Sequence, residues 1–184
     1  MPLDWQWSLQ ACGISGIEAG RRHPKGKPLI RTLITALAVF LVDQLSKLAV
    51  VQWLGLKSVG RIDVLPPYLN FRMAWNQGVN FGLFSNDANV MRWVLIALAL
   101  AISVWVLNWA RKMSHWSGQV FAGCVIGGAL GNVIDRVVYG AVADFLNMSC
   151  CGLNNPYAFN IADVAIFAGA FGLVLASNKH DNKE

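Results

Sequence analysis

Charge is scarce in this chain. Asp, Glu, Lys and Arg make up only 14% of its 184 residues against 55% hydrophobic ones, and mean hydropathy is +0.46. Soluble domains carry about 25% charged residues, so this is the profile of a membrane protein. Histidine is nearly missing as well: His23, His115 and His180 lie beside basic segments or at the tail. All three are far along the chain from its polar cluster, which argues against a zinc site and against a Ser-His-Asp triad. Four cysteines, Cys12, Cys124, Cys150 and Cys151, show no metal-ligand spacing, and the adjacent pair closes only a strained ring, which argues against a disulfide framework. There is no internal repeat, linker or second domain. Catalysis, if present, is left to carboxylates or to a serine with a lysine.

The charge that is present is placed with purpose. A formal net charge of +5 raises the question of nucleic acid, but the basic residues from Arg21 to Arg31 and at Arg111 and Lys112 flank apolar runs. Anionic lipid and membrane orientation explain them better than a nucleic-acid partner. Residues 1–28 hold no apolar run long enough for a signal peptide and are expected to be a poorly ordered cytoplasmic extension. Within them Leu9-Gln-Ala-Cys12 imitates a lipoprotein cleavage box, but without its apolar run it reads as coincidence.

Hydropathy predicts four spans, at about 29–54, 90–110, 118–138 and 159–177, in one domain over 29–178 with a cytoplasmic tail at 179–184. Gly123, Gly127 and Gly131 recur every fourth residue, a small-residue stripe that lets helices approach closely. Between the first two spans, Tyr68–Asn76 alternates Leu69, Phe71, Met73 and Trp75 with Asn70, Arg72, Ala74 and Asn76, which predicts a strand with one apolar face. The glycines of Asn76-Gln-Gly-Val-Asn-Phe-Gly82 fit either a backbone that approaches a ligand or an ordinary turn. The positive-inside rule puts both termini in the cytoplasm and the loops 55–89 and 139–158 outside.

Polar residues interrupt the apolar runs at one depth. Asp43 and Lys47 fall toward the outer end of the first span, and Asn132, Asp135 and Arg136 toward that of the third. Asn160 and Asp163 open the fourth, while Asp144 sits in the β-like stretch Val142-Ala-Asp-Phe-Leu146 just outside. A charge at the bilayer centre costs roughly 2.5 to 3.5 kcal/mol on insertion scales, so such residues persist when paired, wetted or used. Asp144 and Asp163 are read as a water-activating pair that shares one proton. The plainer alternative makes Asp163 a helix cap and Asp144 a loop residue. For Asp43 and Lys47 the plainer alternative is an intrahelical ion pair. Two other functions stand beside the carboxylate reading: a Ser/Lys peptidase using Lys47 with a serine such as Ser149, and a proton-coupled carrier.

Five ordered blocks resemble the prolipoprotein signal peptidase family, signal peptidase II. They are Asp43-Gln-Leu-Ser-Lys47; Asn76-Gln-Gly78 with Phe81; Gly128-Ala-Leu-Gly-Asn-Val-Ile-Asp-Arg136; Val142-Ala-Asp-Phe145; and Phe159-Asn-Ile-Ala-Asp163. The resemblance implies an all-α membrane protein with four transmembrane helices, a small extracytoplasmic β-sheet and a mobile outer loop or helix. It also implies an aspartic endopeptidase of the bacterial inner membrane, working without a cofactor. Such an enzyme cuts lipidated prolipoproteins before the diacylglyceryl-modified cysteine. Asp144 and Asp163 match the family's catalytic dyad, and Asn132, Asp135, Arg136 and Asn160 match the residues that support it. Asp43, Lys47, Asn76 and Gly78 match its other motif positions. Expected partners are prolipoprotein and membrane lipid, with no nucleic acid and no metal, and a monomer is the working expectation. One departure stands out: Asn80 occupies a position where the family commonly has alanine.

Overall fold

A computed structural model describes residues 28–78, 88–113, 115–150 and 155–181. The expected extension before residue 28, the loop positions Asn80, Phe81 and Gly82, and Cys151 lie outside the described residues.

Helix α1 (Pro28–Lys47) passes without a break into a π-helical segment, Leu48–Trp53, and then into a short α2 (Leu56–Val59). Two strands follow, β1 (Arg61–Leu65) and β2 (Leu69–Asn76). After them come α3 (Ala88–Ala110), α4 (Trp116–Tyr139), β3 (Val142–Met148) and α5 (Ile161–Asp181). Among the described residues three helices are long and apolar enough to cross a membrane: Leu29–Trp53, Asn89–Ala110 and Trp116–Tyr139. The expected fourth span is a shorter apolar helix, Ile161–Ala176. A run of that length rises about 24 Å, below the roughly 30 Å of a bilayer's hydrocarbon core. Helix α5 continues to Asp181, so the expected tail begins as helix.

Helix α4 is the axis of the molecule, and its glycines explain why. A Cβ on Gly127 would strike the backbone carbonyl of Ala36 in α1, and one on Gly128 would lie 2.5 Å from the Ala162 carbonyl in α5. Side chains at these positions would hold the backbones apart, so the glycines set the spacing of α1, α4 and α5. Thr32 Oγ1 donates to the Gln119 carbonyl at 3.0 Å and ties α1 to α4 once more near the start of both helices. Val106 and Ala110 of α3 pack with Ala36, Ala122, Val125, Ile126 and Leu173 in a buried cluster that joins all four long helices.

The strands form one antiparallel sheet in the order β1-β2-β3. It rests on the π-helical segment and α2 through Val50, Val51, Leu56, Ala143 and Phe145, with Phe71 edge-on to Phe145 at 5.9 Å. The predicted strand is present, but its alternation does not run through. Phe71 pairs with Leu146 while Ala74 pairs with Asp144, so β2 carries a bulge that exchanges its faces. Beyond the bulge Trp75 is 39% exposed, and ahead of it Asn70 is buried, both against the expected alternation. Strand β1, mostly exposed, carries no alternation that would announce it.

Replacing Gly127 by leucine is expected to pry α1 from α4 at a cost of about 1–3 kcal/mol, the usual range for overpacking. A lowered thermal midpoint for the purified Gly127→Leu protein in detergent, beside an unchanged one for the exposed Val138→Leu, checks this.

Candidate active site

The first turn of α5 is built by its own sequence. Asn160 stands before the helix and Asp163 three residues on, and they cap each other: the Asp163 N–H donates to Asn160 Oδ1 at 2.9 Å, and the Asn160 N–H donates to Asp163 Oδ2 at 3.2 Å. This is the reciprocal arrangement of a capping box, with asparagine and aspartate in the two roles. Asp163 is therefore a helix-capping residue, as the plainer reading had it. Its Oδ1 is left to accept from Asn132 Nδ2 of α4 at 2.9 Å. A carboxylate here also lies at the positive end of the helix dipole.

Asp144 arrives from the sheet. Phe159 bonds to β3 in both directions, its N–H to the Leu146 carbonyl at 2.9 Å and its own carbonyl accepting from Leu146 at 2.8 Å. That bridge delivers Asn160 to the strand. Asn160 Nδ2 donates to Asp144 Oδ1 at 2.6 Å and to Asn132 Oδ1 at 3.2 Å. Asp144 Oδ2 accepts from Asn76 Nδ2 at 3.1 Å. Asn76 is itself oriented by Gly78, whose N–H donates to Asn76 Oδ1 at 2.9 Å in a turn with φ +96° at the glycine. That positive φ is what an L side chain resists, so Gly78 serves a turn that aims Asn76.

Asp144 and Asp163 thus share one asparagine directly and are linked to a second through it. Asn160 touches both, and Asn132 touches Asp163 and Asn160. Asp144 is 3% exposed, and burial, followed by the charge of Asp163, raises its pKa from 3.8 to about 6. Hydrogen bonds from Asn76 and Asn160 oppose that rise without cancelling it.

Asp43, Lys47 and Asp135 form a second group beside the first. Lys47 Nζ lies 2.6 Å from Asp43 Oδ2 and 2.8 Å from Asp135 Oδ2, with all three residues buried. The one-turn pairing of Asp43 and Lys47 is present, but Lys47 also crosses to α4. Asp43 Oδ1 accepts from the Ala162 N–H at 2.9 Å, and Asp135 Oδ2 from the Ala143 N–H at 3.1 Å. Gln44 Nε2 lies within hydrogen-bonding reach of Asp43, Asp135 and the Gly131 carbonyl at 3.2, 3.1 and 3.3 Å. Gln44 was not among the predicted site residues, although a glutamine inside an apolar run is itself a signal. A Cβ on Gly131 would fall 2.6 Å from Asp43 Oδ2, so the glycine stripe ends by making room for this carboxylate.

Arg136, on the dyad's side of α4, donates to the Asn132 carbonyl at 3.3 Å and has no hydrogen-bond partner at Nε. Ser149 lies past the end of β3, accepting from the Asn155 N–H at 3.2 Å and donating its own N–H to Tyr68. With Lys47 held by two carboxylates and Ser149 by a turn, no serine-lysine pair forms between them.

Comparison with known proteins agrees with the blocks. The family model described as signal peptidase (SPase) II matches residues 35–179. The lipoprotein signal peptidase of Methylorubrum extorquens is 40% identical over 148 residues, 79% of this chain and 84% of that one. The lipoprotein signal peptidase of Aeromonas hydrophila is 39% identical over 158 residues, 84% and 92% of the two chains. A solved bacterial membrane enzyme is 27% identical, with a TM-score of 0.66 over 83% of this chain and 91% of its own. The match runs from the middle of α1 to the end of α5 and includes every element that contributes to the two polar groups, which makes this chain a member of the signal peptidase II family.

Proposed function

We propose that this protein is an aspartic endopeptidase that removes signal peptides from diacylglyceryl-modified prolipoproteins, cutting on the N-terminal side of the lipidated cysteine. The observation that carries the mechanism is the pairing of Asp144 and Asp163 through Asn160, which donates its Nδ2 to Asp144 and its backbone N–H to Asp163. Family membership supports the substrate.

The two aspartates are chemically unequal. Asp163 receives a backbone N–H and an amide N–H at a helix N-terminus, where negative charge is favoured. Asp144 is the member whose burial favours the neutral form. Asp163 then acts as base and Asp144 as acid. A water between them gives a proton to Asp163 as its oxygen bonds to the scissile carbonyl carbon, and Asp144 protonates the carbonyl oxygen. The resulting diol collapses: the C–N bond breaks, one hydroxyl proton returns to Asp144, and the proton on Asp163 passes to the leaving nitrogen. Water is consumed, both carboxyls regain their starting states, and neither metal nor cofactor takes part. Asn76, Asn132 and Asn160 hold the carboxyls, Gly78 aims Asn76, and Arg136 supplies positive charge on the same side of α4.

In this reading α5 is the fourth span, extended by its neighbours to the membrane surface. The basic flanks place both termini in the cytoplasm, with residues 1–28 as a cytoplasmic extension ahead of one peptidase domain. The dyad then lies near the outer leaflet. A lipid-bearing substrate keeps its acyl chains in hydrocarbon while its peptide enters from the side, and the chain works as a monomer.

Asp144→Asn and Asp163→Asn are each expected to lower cleavage of a lipidated precursor by at least about 100-fold, the low end of acid-base catalysis. Both proteins should still insert and fold, and wild-type rates from either would end the assignment. The unlipidated precursor should be a poor substrate of the wild type.

A second outcome follows from the raised pKa of Asp144. Between pH 3.8 and about 6 the folded protein holds this proton while the unfolded chain has lost it. Stability linked to Asp144 is therefore present at low pH and lost as pH rises through that window. Asp144→Asn removes the charged form, so its thermal midpoint should exceed that of wild type at pH 7 and lose that advantage near pH 4. In the wild-type profile of kcat/KM, the limb that falls with rising pH should have a midpoint of about 6 or higher.

A further inference from the structure

We propose that Lys47 is a positioning residue for the dyad, setting the separation of its two aspartates by bridging the carboxylates that hold their backbones. The proposal rests on the peptidase reading of Asp144 and Asp163. It assigns a task to a group that touches neither of them.

The path is continuous and made of short bonds. Asp163 follows Ala162, whose N–H is held by Asp43 at 2.9 Å. Asp144 follows Ala143, whose N–H is held by Asp135 at 3.1 Å. Lys47 Nζ closes the path between the carboxylates at 2.6 and 2.8 Å. Each dyad member is thus one residue away from an amide fixed by a carboxylate, and one ammonium fixes both carboxylates. The three residues come from α1 and α4, which the glycine stripe holds in close contact, while the amides belong to β3 and α5.

An ordinary intrahelical pair explains less. Had Lys47 only Asp43 to neutralise, it would have no reason to meet Asp135 on another helix. One cation against two buried anions leaves a negative charge, and the two backbone N–H groups and Gln44 are the donors that make it tolerable. Without Lys47 the two carboxylates repel, and whatever they hold moves with them. β3 carries Asp144, and the first turn of α5 carries Asp163. Displacements of about 1 Å at reacting groups cost on the order of 100-fold in rate.

The arrangement also separates rate from binding. Asp43 and Asp135 hold backbone N–H groups behind the dyad, and Lys47 and Asp135 line one cavity with Ala143. The face that meets the scissile bond belongs to Asp144, Asp163 and the asparagines, and adjacent residues of a strand point to opposite faces. A loosened bridge should slow chemistry while precursor binding persists.

The test uses purified full-length enzyme in detergent with a lipidated precursor, comparing wild type, Lys47→Met and Gln44→Leu. Folded protein is quantified by thermal unfolding so that rates are per folded molecule. Lys47→Met should lower kcat about 100-fold with KM within about twofold of wild type. Gln44→Leu keeps both ion pairs and removes only the accessory donor, so it should fold fully and lower kcat by a smaller factor, again at constant KM. If Lys47→Met does not fold, Lys47→Arg, which keeps the charge but changes its reach and geometry, carries the same test and should likewise lower kcat at constant KM. Wild-type kcat per folded molecule in the folded variants, with only the melting temperature reduced, would show a merely structural bridge and overturn the proposal. Failure of the wild type to cleave, or normal cleavage by Asp163→Asn, would instead overturn the peptidase reading beneath it.

Discussion

One buried ammonium between two buried carboxylates is the interaction on which the rest of this structure depends. Charges inside an apolar helical bundle persist only when each has its partners, and removing one partner from a buried pair typically costs 3–5 kcal/mol because the other is left uncompensated. Lys47, Asp43 and Asp135 therefore cannot be assembled loosely. Glycines that bring α1 against α4 are the precondition, since a Cβ on Gly131 would occupy the space of Asp43 itself. Close helix packing and the polar group are two sides of one constraint.

From that constraint the small sheet acquires its place. An outer sheet of three short strands has little core of its own, and here it borrows one from the π-helical segment and α2. Its third strand is pinned at two points of different chemistry. Asp135 holds the Ala143 N–H near the start, and Phe159 pairs with Leu146 further along. Asp144 lies between those points. A residue held on both sides by backbone bonds has little freedom left except in its side chain, and Asn76 and Asn160 restrict that too.

Much of this was legible in the sequence because it is periodic or local. The long helices follow from apolar runs. The contact of Asp43 with Lys47, and the mutual cap of Asn160 and Asp163, follow from spacings of four and three residues. What escaped was relational. The amides of Ala143 and Ala162 are peptide groups that every residue owns, so nothing in the letters marks them as anchors. The bulge in β2 depends on pairing with a strand about seventy or more positions away, and beyond it Trp75 is exposed against the predicted alternation. Strand β1 carries almost no buried residue and so leaves no alternation to read. Gln44 matters because of residues on α4, and only its unlikeness to its neighbours hinted at that.

The choice of asparagine around the dyad has its own physical reason. In the proposed dyad neutral donors suit a shared proton, because a cation hydrogen-bonded to either aspartate would favour its ionised form; Arg136, on the same side of α4, bonds to the Asn132 carbonyl instead. A carboxamide donates and accepts at once and carries no net charge. Asn160 uses this fully: its Nδ2 donates to Asp144 and Asn132 while its Oδ1 accepts from Asp163. In the proposed dyad such a link fixes distance without adding charge. The buried cation Lys47 is bonded to Asp43 and Asp135 rather than to the dyad, and in the proposal it steadies the backbone that carries the pair. In the proposed mechanism, placing the buried ion pairs behind the site and neutral amides within it reconciles the rigidity that hydrolysis needs with unequal protonation of the two aspartates.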